Sequence, residues 1–282
     1  MIMKDSRKEL RTFIVLTIGL SIVFNYLIIT KGMLFVYVLG VMWTPGIAAI
    51  SSKLIHQGSL RGMGWKFGKA RHLLHGYTIP LALSLIVYSL AWIFGLGGLS
   101  VAKWVKVFND GAHFTIGMPA VIIMILAAII LFFRSMITAM GEEIGWTGFF
   151  TPQLLRHTSP VKVSLFIGLF WAVWHFPGIV FSHYNSGTSP WVALPCFTIM
   201  AIGFSFVRTF LWMRSGSLWT GAILHASHNL FIQTFFDIMT IDKGHTKYFT
   251  TEFGIGLAVI YALAAVWIQR HWQRFPQTGA KT

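Results

Sequence analysis

Two adjacent glutamates, Glu142 and Glu143, stand in Gly141-Glu142-Glu143-Ile144-Gly145-Trp146-Thr147-Gly148, within a chain that holds only eight acidic residues. Asp5, Glu9, Asp110, Asp242 and Glu252 fall in termini or loops, and Asp237 falls near a helix end. A carboxylate at membrane depth is costly to bury, so the glutamate pair marks a candidate functional group. Neighbours on a helix point about 100° apart, which implies two roles. One carboxylate can serve as a base on a hydrated cavity, while the other needs a partner or a proton of its own. His175 lies deep in a second apolar run, in Trp171-Ala172-Val173-Trp174-His175, and a third run carries His225-Ala226-Ser227-His228-Asn229. His225 and Asn229 share one helical face. Taken one at a time, the same residues also read as a cytosolic loop, a packing histidine and a pair of interhelical hydrogen bonds.

Taken together they suggest hydrolysis. A carboxylate and a neutral imidazole that share a water can remove its proton and aim its lone pair at a carbonyl. An imidazole and a carboxamide on one face can then hold the oxyanion, and His225 and Asn229 suit that task. The expected set is a carboxylate of the Glu142-Glu143 pair together with His175, His225 and Asn229. The alternative chemistry places a divalent metal such as Zn²⁺ on Glu142, His175 and His225, although no His-Glu-x-x-His helix is present. Otherwise no cofactor is expected.

The elements that must position these groups are membrane helices. Apolar and aromatic residues make up 55% of the 282-residue chain and charged residues 11%, a balance that no water-soluble domain of this length could hide. Apolar runs of spanning length occur near 12–30, 33–54, 77–98, 118–140, 161–182, 191–213, 217–239 and 250–269. The expected fold is all-α, one integral membrane domain over residues 1–282 with about eight helices, its motif-bearing core at about 117–240. The stretch from Gly117 to Arg156 is either one long, kinked helix or two short ones. With eight passes and both termini cytosolic, 17 Lys and Arg residues fall inside, Arg134 and Arg208 among them, and 5 fall outside. Splitting the fourth segment gives 12 against 10, so eight passes are preferred. The net charge of +14 then reflects anionic headgroups as partners, with no nucleic-acid motif beside it. The single cysteine, Cys196, permits no internal disulfide and no Cys-based zinc site.

Depth favours convergence of the motifs. Glu142 and His175 lie 14 and 15 residues from Arg156 and Pro160, so both stand about 21 Å from the turn that joins their helices. In order and spacing, Glu142-Glu143 followed by Trp146, then Trp171 to His175, then His225-x-x-x-Asn229, resemble the three motifs of the CPBP intramembrane proteases. This family, also called Abi, includes type II CAAX prenyl endopeptidases and bacteriocin-processing or self-immunity proteins. The resemblance implies that Glu142 and His175 activate water, that His225 and Asn229 stabilise the oxyanion, and that Glu143 supports them without a metal. Two positions depart from the family pattern. Thr147 replaces an arginine four residues after the second glutamate, so Glu143 is expected to be protonated or paired with Arg134, Arg208 or another group. Trp171 replaces a phenylalanine and is expected to keep an aromatic wall.

The expected activity is cleavage of a hydrophobic or lipid-modified peptide near the cytosolic leaflet, in the cell membrane of a prokaryote. The alternatives are a catalytically inactive immunity or chaperone-like protein of the same fold, and a proton-coupled transporter.

Overall fold

In a computed structural model of the chain, residues 2–111 and 118–272 are described. Gly117, Arg274 and Lys281, which enter the boundaries and charge count above, lie outside these residues. The fold is an α-helical membrane bundle. In lipid every backbone polar group must be satisfied within its own segment, and an apolar run of about 20 residues meets that demand only as a helix. The long helices are α1 (Ile2–Lys31), α2 (Phe35–Gln57) and α3 (Ala70–Ile93). After the short strand β1 (Gly98–Leu99) and the amphipathic helix α4 (Val101–Gly111) come α5 (Ala120–Leu155), α6 (Pro160–Phe181) and α7 (Pro190–Ser215). The last two are α8 (Leu218–Asn229), extended by a π-helical stretch over Leu230–Phe236, and α9 (Ile255–His271). Each expected apolar run overlaps one long helix. Among the described residues, six helices (the first counted from Ser6) are long and apolar enough to cross a membrane, and Ile255–His271 is a shorter apolar helix.

The ambiguous fourth segment is one long helix. α5 continues without a break through Leu155, and its Ile144–Phe150 stretch widens to π geometry directly after the two glutamates. Gly141 and Gly145 bring this part of α5 against α2. A Cβ on Gly141 would lie 2.6 Å from the Trp43 ring, and one on Gly145 would lie 2.7 Å from the Pro45 backbone. Such small-residue contacts let two backbones approach closely. The continuity also corrects the charge count. Arg134 lies inside α5 and Arg208 inside α7, rather than in inner loops.

The two ends of the bundle are tied differently. At the end bearing the N-terminus, Glu9 accepts hydrogen bonds from Gln57 at 2.6 Å and from Gln153 at 2.6 Å, so α1, α2 and α5 meet there. Glu9, expected in an exposed terminus, is buried because it unites three helices. The loop over residues 58–69 joins the same end, where Gly64 O accepts from Leu218 N at 2.9 Å and Trp65 O from the Trp219 indole at 2.8 Å. At the opposite end, Gly98 and Leu99 pair antiparallel with Ile241 and Thr240, joining the connection after α3 to that after α8. Trp104 of α4 is buried there against Phe235, their rings 4.9 Å apart.

Candidate active site

The end of α1, the start of α2, the part of α5 that leads up to Glu142, the second half of α6 and the end of α8 surround a cavity of about 510 Å³, the size of ordinary small-ligand sites. Glu142, His175, His225 and Asn229 all line it, from three separate helices. Glu143 does not; the 100° step along α5 turns it away from the cavity into the contact with α7 and α8.

One oxygen of Glu142, Oε2, receives two indole N–H groups. Trp146, one turn along α5, donates at 3.1 Å, and Trp171 of α6 donates at 2.7 Å. Among the described residues Oε1 has no hydrogen-bond donor, so its lone pairs are available to the cavity. Trp171 is therefore more than the aromatic wall expected from the sequence. Its indole also reaches the carboxylate across the helix interface, which a phenylalanine ring cannot do.

The tautomer of His175 follows from its partner. Nδ1 lies 2.8 Å from the Trp171 carbonyl oxygen, which can only accept, so Nδ1 carries the hydrogen and a neutral ring leaves Nε2 bare. The ring is held by Trp174 and Phe197, at centroid distances of 4.7 and 4.8 Å. Tyr184 stacks on it at 6.0 Å. His225 is fixed in a similar way, with Nδ1 3.1 Å from Glu143 Oε1.

Glu143 is wholly buried, yet it has three partners besides burial to oppose it. The Thr147 hydroxyl and the His225 imidazole bond to it, and Arg208 Nη1 of α7 lies 3.5 Å from Oε1. The cation absent at Thr147 is thus supplied across the bundle. Arg208 is itself fully buried, bonded to Ser205 Oγ at 3.1 Å and lying 5.7 Å from the centre of the Trp171 ring. Its role was legible by the rule applied to the acids, since Arg208 stands inside the apolar run 191–213. The sequence named it, with Arg134, among the expected partners of Glu143, and the structure pairs Glu143 with Arg208.

A second polar group on the cavity wall was missed outright. Glu252, placed in a loop by its sequence context, is only 5% exposed because that loop folds back against α8. It accepts from His228 Nε2 at 2.9 Å, Gln233 Nε2 at 3.0 Å and the Tyr184 hydroxyl at 3.0 Å. Burial alone would push its carboxyl up, but these hydrogen bonds outweigh burial and hold it below its ordinary value. Burial and the neighbouring Glu252 push the Tyr184 phenol well up, so it stays a donor. His228 turns to Glu252 and Tyr261 rather than to Glu142. Among the described residues, no three His, Cys, Asp or Glu side chains are grouped as metal ligands would be.

The cavity belongs to one half of the bundle. Its rim is formed by Met33 and Phe35 at the turn between α1 and α2, Ser182 and Tyr184 after α6, Ile238 after α8, and Glu252 before α9. All lie at the end opposite the N-terminus and the loop over residues 58–69. The sequence suggested cleavage near the end that carries most of the Lys and Arg residues, whereas the cavity lining lies toward the opposite end. The helices orient Glu142 and His175 toward the other mouth.

Residues 124–231 match the family described as type II CAAX prenyl endopeptidase, Rce1-like. A CAAX prenyl protease 2 of Methanococcus maripaludis is 30% identical over 109 residues, which cover 37% of this chain and 35% of that protein. The chain thus matches about a third of this relative's length. The family match spans Glu142-Glu143, Trp171 to His175, and His225 to Asn229, and over this segment the chain is similar to the Rce1-like endopeptidases of the CPBP family.

Proposed function

We propose that this integral membrane protein is an intramembrane endopeptidase that uses a glutamate and a histidine to activate water. The observation that carries the reading is the pair of indole donors on one oxygen of Glu142, which leaves Oε1 without a donor among the described residues, on a side chain that lines the same cavity as His175. A water held between Glu142 Oε1 and His175 Nε2 loses a proton as it attacks the substrate carbonyl. His225 and Asn229 receive the oxyanion, and the leaving amine takes the proton back as the C–N bond breaks.

His225 already gives Nδ1–H to Glu143, so donation from Nε2 requires the imidazolium form. That form balances the site. Two carboxylates, Glu142 and Glu143, then face two cations, His225 and Arg208, in surroundings where an unpaired charge would be costly.

The substrate is proposed to be a hydrophobic or lipid-modified peptide. The name of the Methanococcus maripaludis relative points to a prenylated one. The motif-bearing core is proposed at about residues 117–240, and the protein is placed in a prokaryotic cell membrane. The inactive-scaffold alternative draws on Thr147, and the Arg208–Glu143 pair, which puts a cation on Glu143, supports the peptidase reading.

The ligand groups do not fit a three-residue zinc site as arranged, and no step is routed through a metal. The test is cleavage of quenched hydrophobic peptides by protein purified in detergent. Activity is expected to persist in a strong chelator, and loss restored by Zn²⁺ would replace this chemistry with a metal mechanism. A second test isolates Trp171. Trp171→Phe keeps the ring but removes a charge-assisted hydrogen bond worth about 1.5–3 kcal/mol. The expected result is a fall in kcat of roughly ten- to a hundredfold with KM little changed. An unchanged kcat would mean that this donor does not orient the base.

A further inference from the structure

The ends of the bundle differ in charge as well as in access. Arg61, Lys66, Lys69 and Arg71 lie between α2 and α3, Arg156 and Lys162 lie between α5 and α6, and Arg214 and Arg270 lie in the last turns of α7 and α9. The hydrogen bonds of Glu9 and the contacts of Gly64 and Trp65 show that these connections share one end. Among the described residues the opposite end carries Lys31, Lys103, Lys106, Lys243 and Lys247, with Arg134 of α5 reaching 5.2 Å from the Phe35 ring on the same side, and these are offset there by Asp110 and Asp242. Short connections rich in Lys and Arg stay on the cytosolic side, where the membrane surface is anionic. The cavity mouth lies at the other end, at Met33, Phe35, Ser182 and Tyr184.

We infer that the cavity opens to the non-cytosolic face of the membrane and takes its substrate from that side. The inference rests on the peptidase reading for what happens to the substrate, but not for where it enters. The substrate class is an exported or membrane-tethered peptide with a hydrophobic or lipid segment in the outer leaflet. Beside the polar groups, Ile28, Val41, Met42 and Leu131 give the cavity an apolar wall that such a segment can cover. The basic connections seal the cytosolic end, where Phe149 and Phe150 pack against Phe13 beneath the glutamates.

Site-directed labelling tests the side of access in the full chain. Cys196, the one native cysteine, is first replaced by alanine, and single cysteines are introduced by Met33→Cys, His245→Cys or Lys66→Cys. Met33 and His245 are exposed at the mouth end, and Lys66 is exposed at the basic end. A membrane-impermeant maleimide applied to spheroplasts is expected to label Met33→Cys and His245→Cys at once, and Lys66→Cys only after permeabilisation. The reverse pattern, or equal labelling of both ends, overturns the inference. Cleavage of a quenched hydrophobic peptide by the same variants in detergent reports separately on the peptidase reading. Its absence would sink that reading while leaving the labelling result to decide the side of access.

Discussion

Glu142→Gln is expected to lower kcat/KM by roughly 10²- to 10⁴-fold, the range associated with a general base. The amide nearly matches the carboxylate in size and can still accept the indole hydrogens of Trp146 and Trp171 through its oxygen. The cavity therefore keeps its walls while losing the group that takes the proton. Stability in detergent should stay close to that of the parent chain, which separates lost chemistry from lost fold. Quenched-peptide cleavage beside a thermal melt gives both readings. If Glu142→Gln cleaves at the parental rate, Glu142 is not the base and the mechanism fails at its first step. Complementation adds a second contrast, because a binding protein of the same fold would tolerate this substitution.

The largest stability effect is expected at Arg208. Arg208→Met fills much of the same volume but strands Glu143, wholly buried, with only Thr147 and His225 as partners. Removing one member of a buried ion pair costs about 3–5 kcal/mol, because the other charge remains desolvated. Thermal unfolding in detergent should show this loss, and activity should fall with it as Glu143, the acceptor that fixes His225, is held by one partner fewer. Arg208→Lys restores the charge without the forked donor that also reaches Ser205, and should recover part of the loss. Parental stability in Arg208→Met would show that Glu143 is neutral and that the pair is dispensable.

Arg208 also shows how far the sequence reaches, since Arg134 and Arg208 were both named as partners for Glu143 and nothing in the sequence chose between them. Thr147 breaks a local pattern, the cation one turn from Glu143, and local spacing offers no substitute. The replacement comes from 65 residues away on another helix, a distance in sequence that only the packing of α5, α7 and α8 closes. Glu252 was hidden for a similar reason. Its segment is irregular and polar enough to pass for a surface loop, yet the three donors from Tyr184, His228 and Gln233 make its burial tolerable. Trp171 was recognised as aromatic, but whether an indole N–H meets a carboxylate depends on the angle between α5 and α6. By contrast, Glu142, His175, His225 and Asn229 were legible because charged and imidazole groups inside apolar runs are rare, and i to i+4 spacing already fixes a shared face.

The sequence by itself determined the helical membrane bundle, the approximate place of each long helix and the motif residues that share a cavity. Twenty-residue apolar runs admit little but helices in lipid, and polar groups within them stand out against that background. The tertiary structure decided which partner each group holds: two indoles on Glu142, Arg208 on Glu143, a folded-back loop around Glu252. It also decided which end of the bundle the cavity faces. Hydropathy is a property of single segments, whereas these pairings depend on how separate helices turn toward one another, and that is set only when all of them pack.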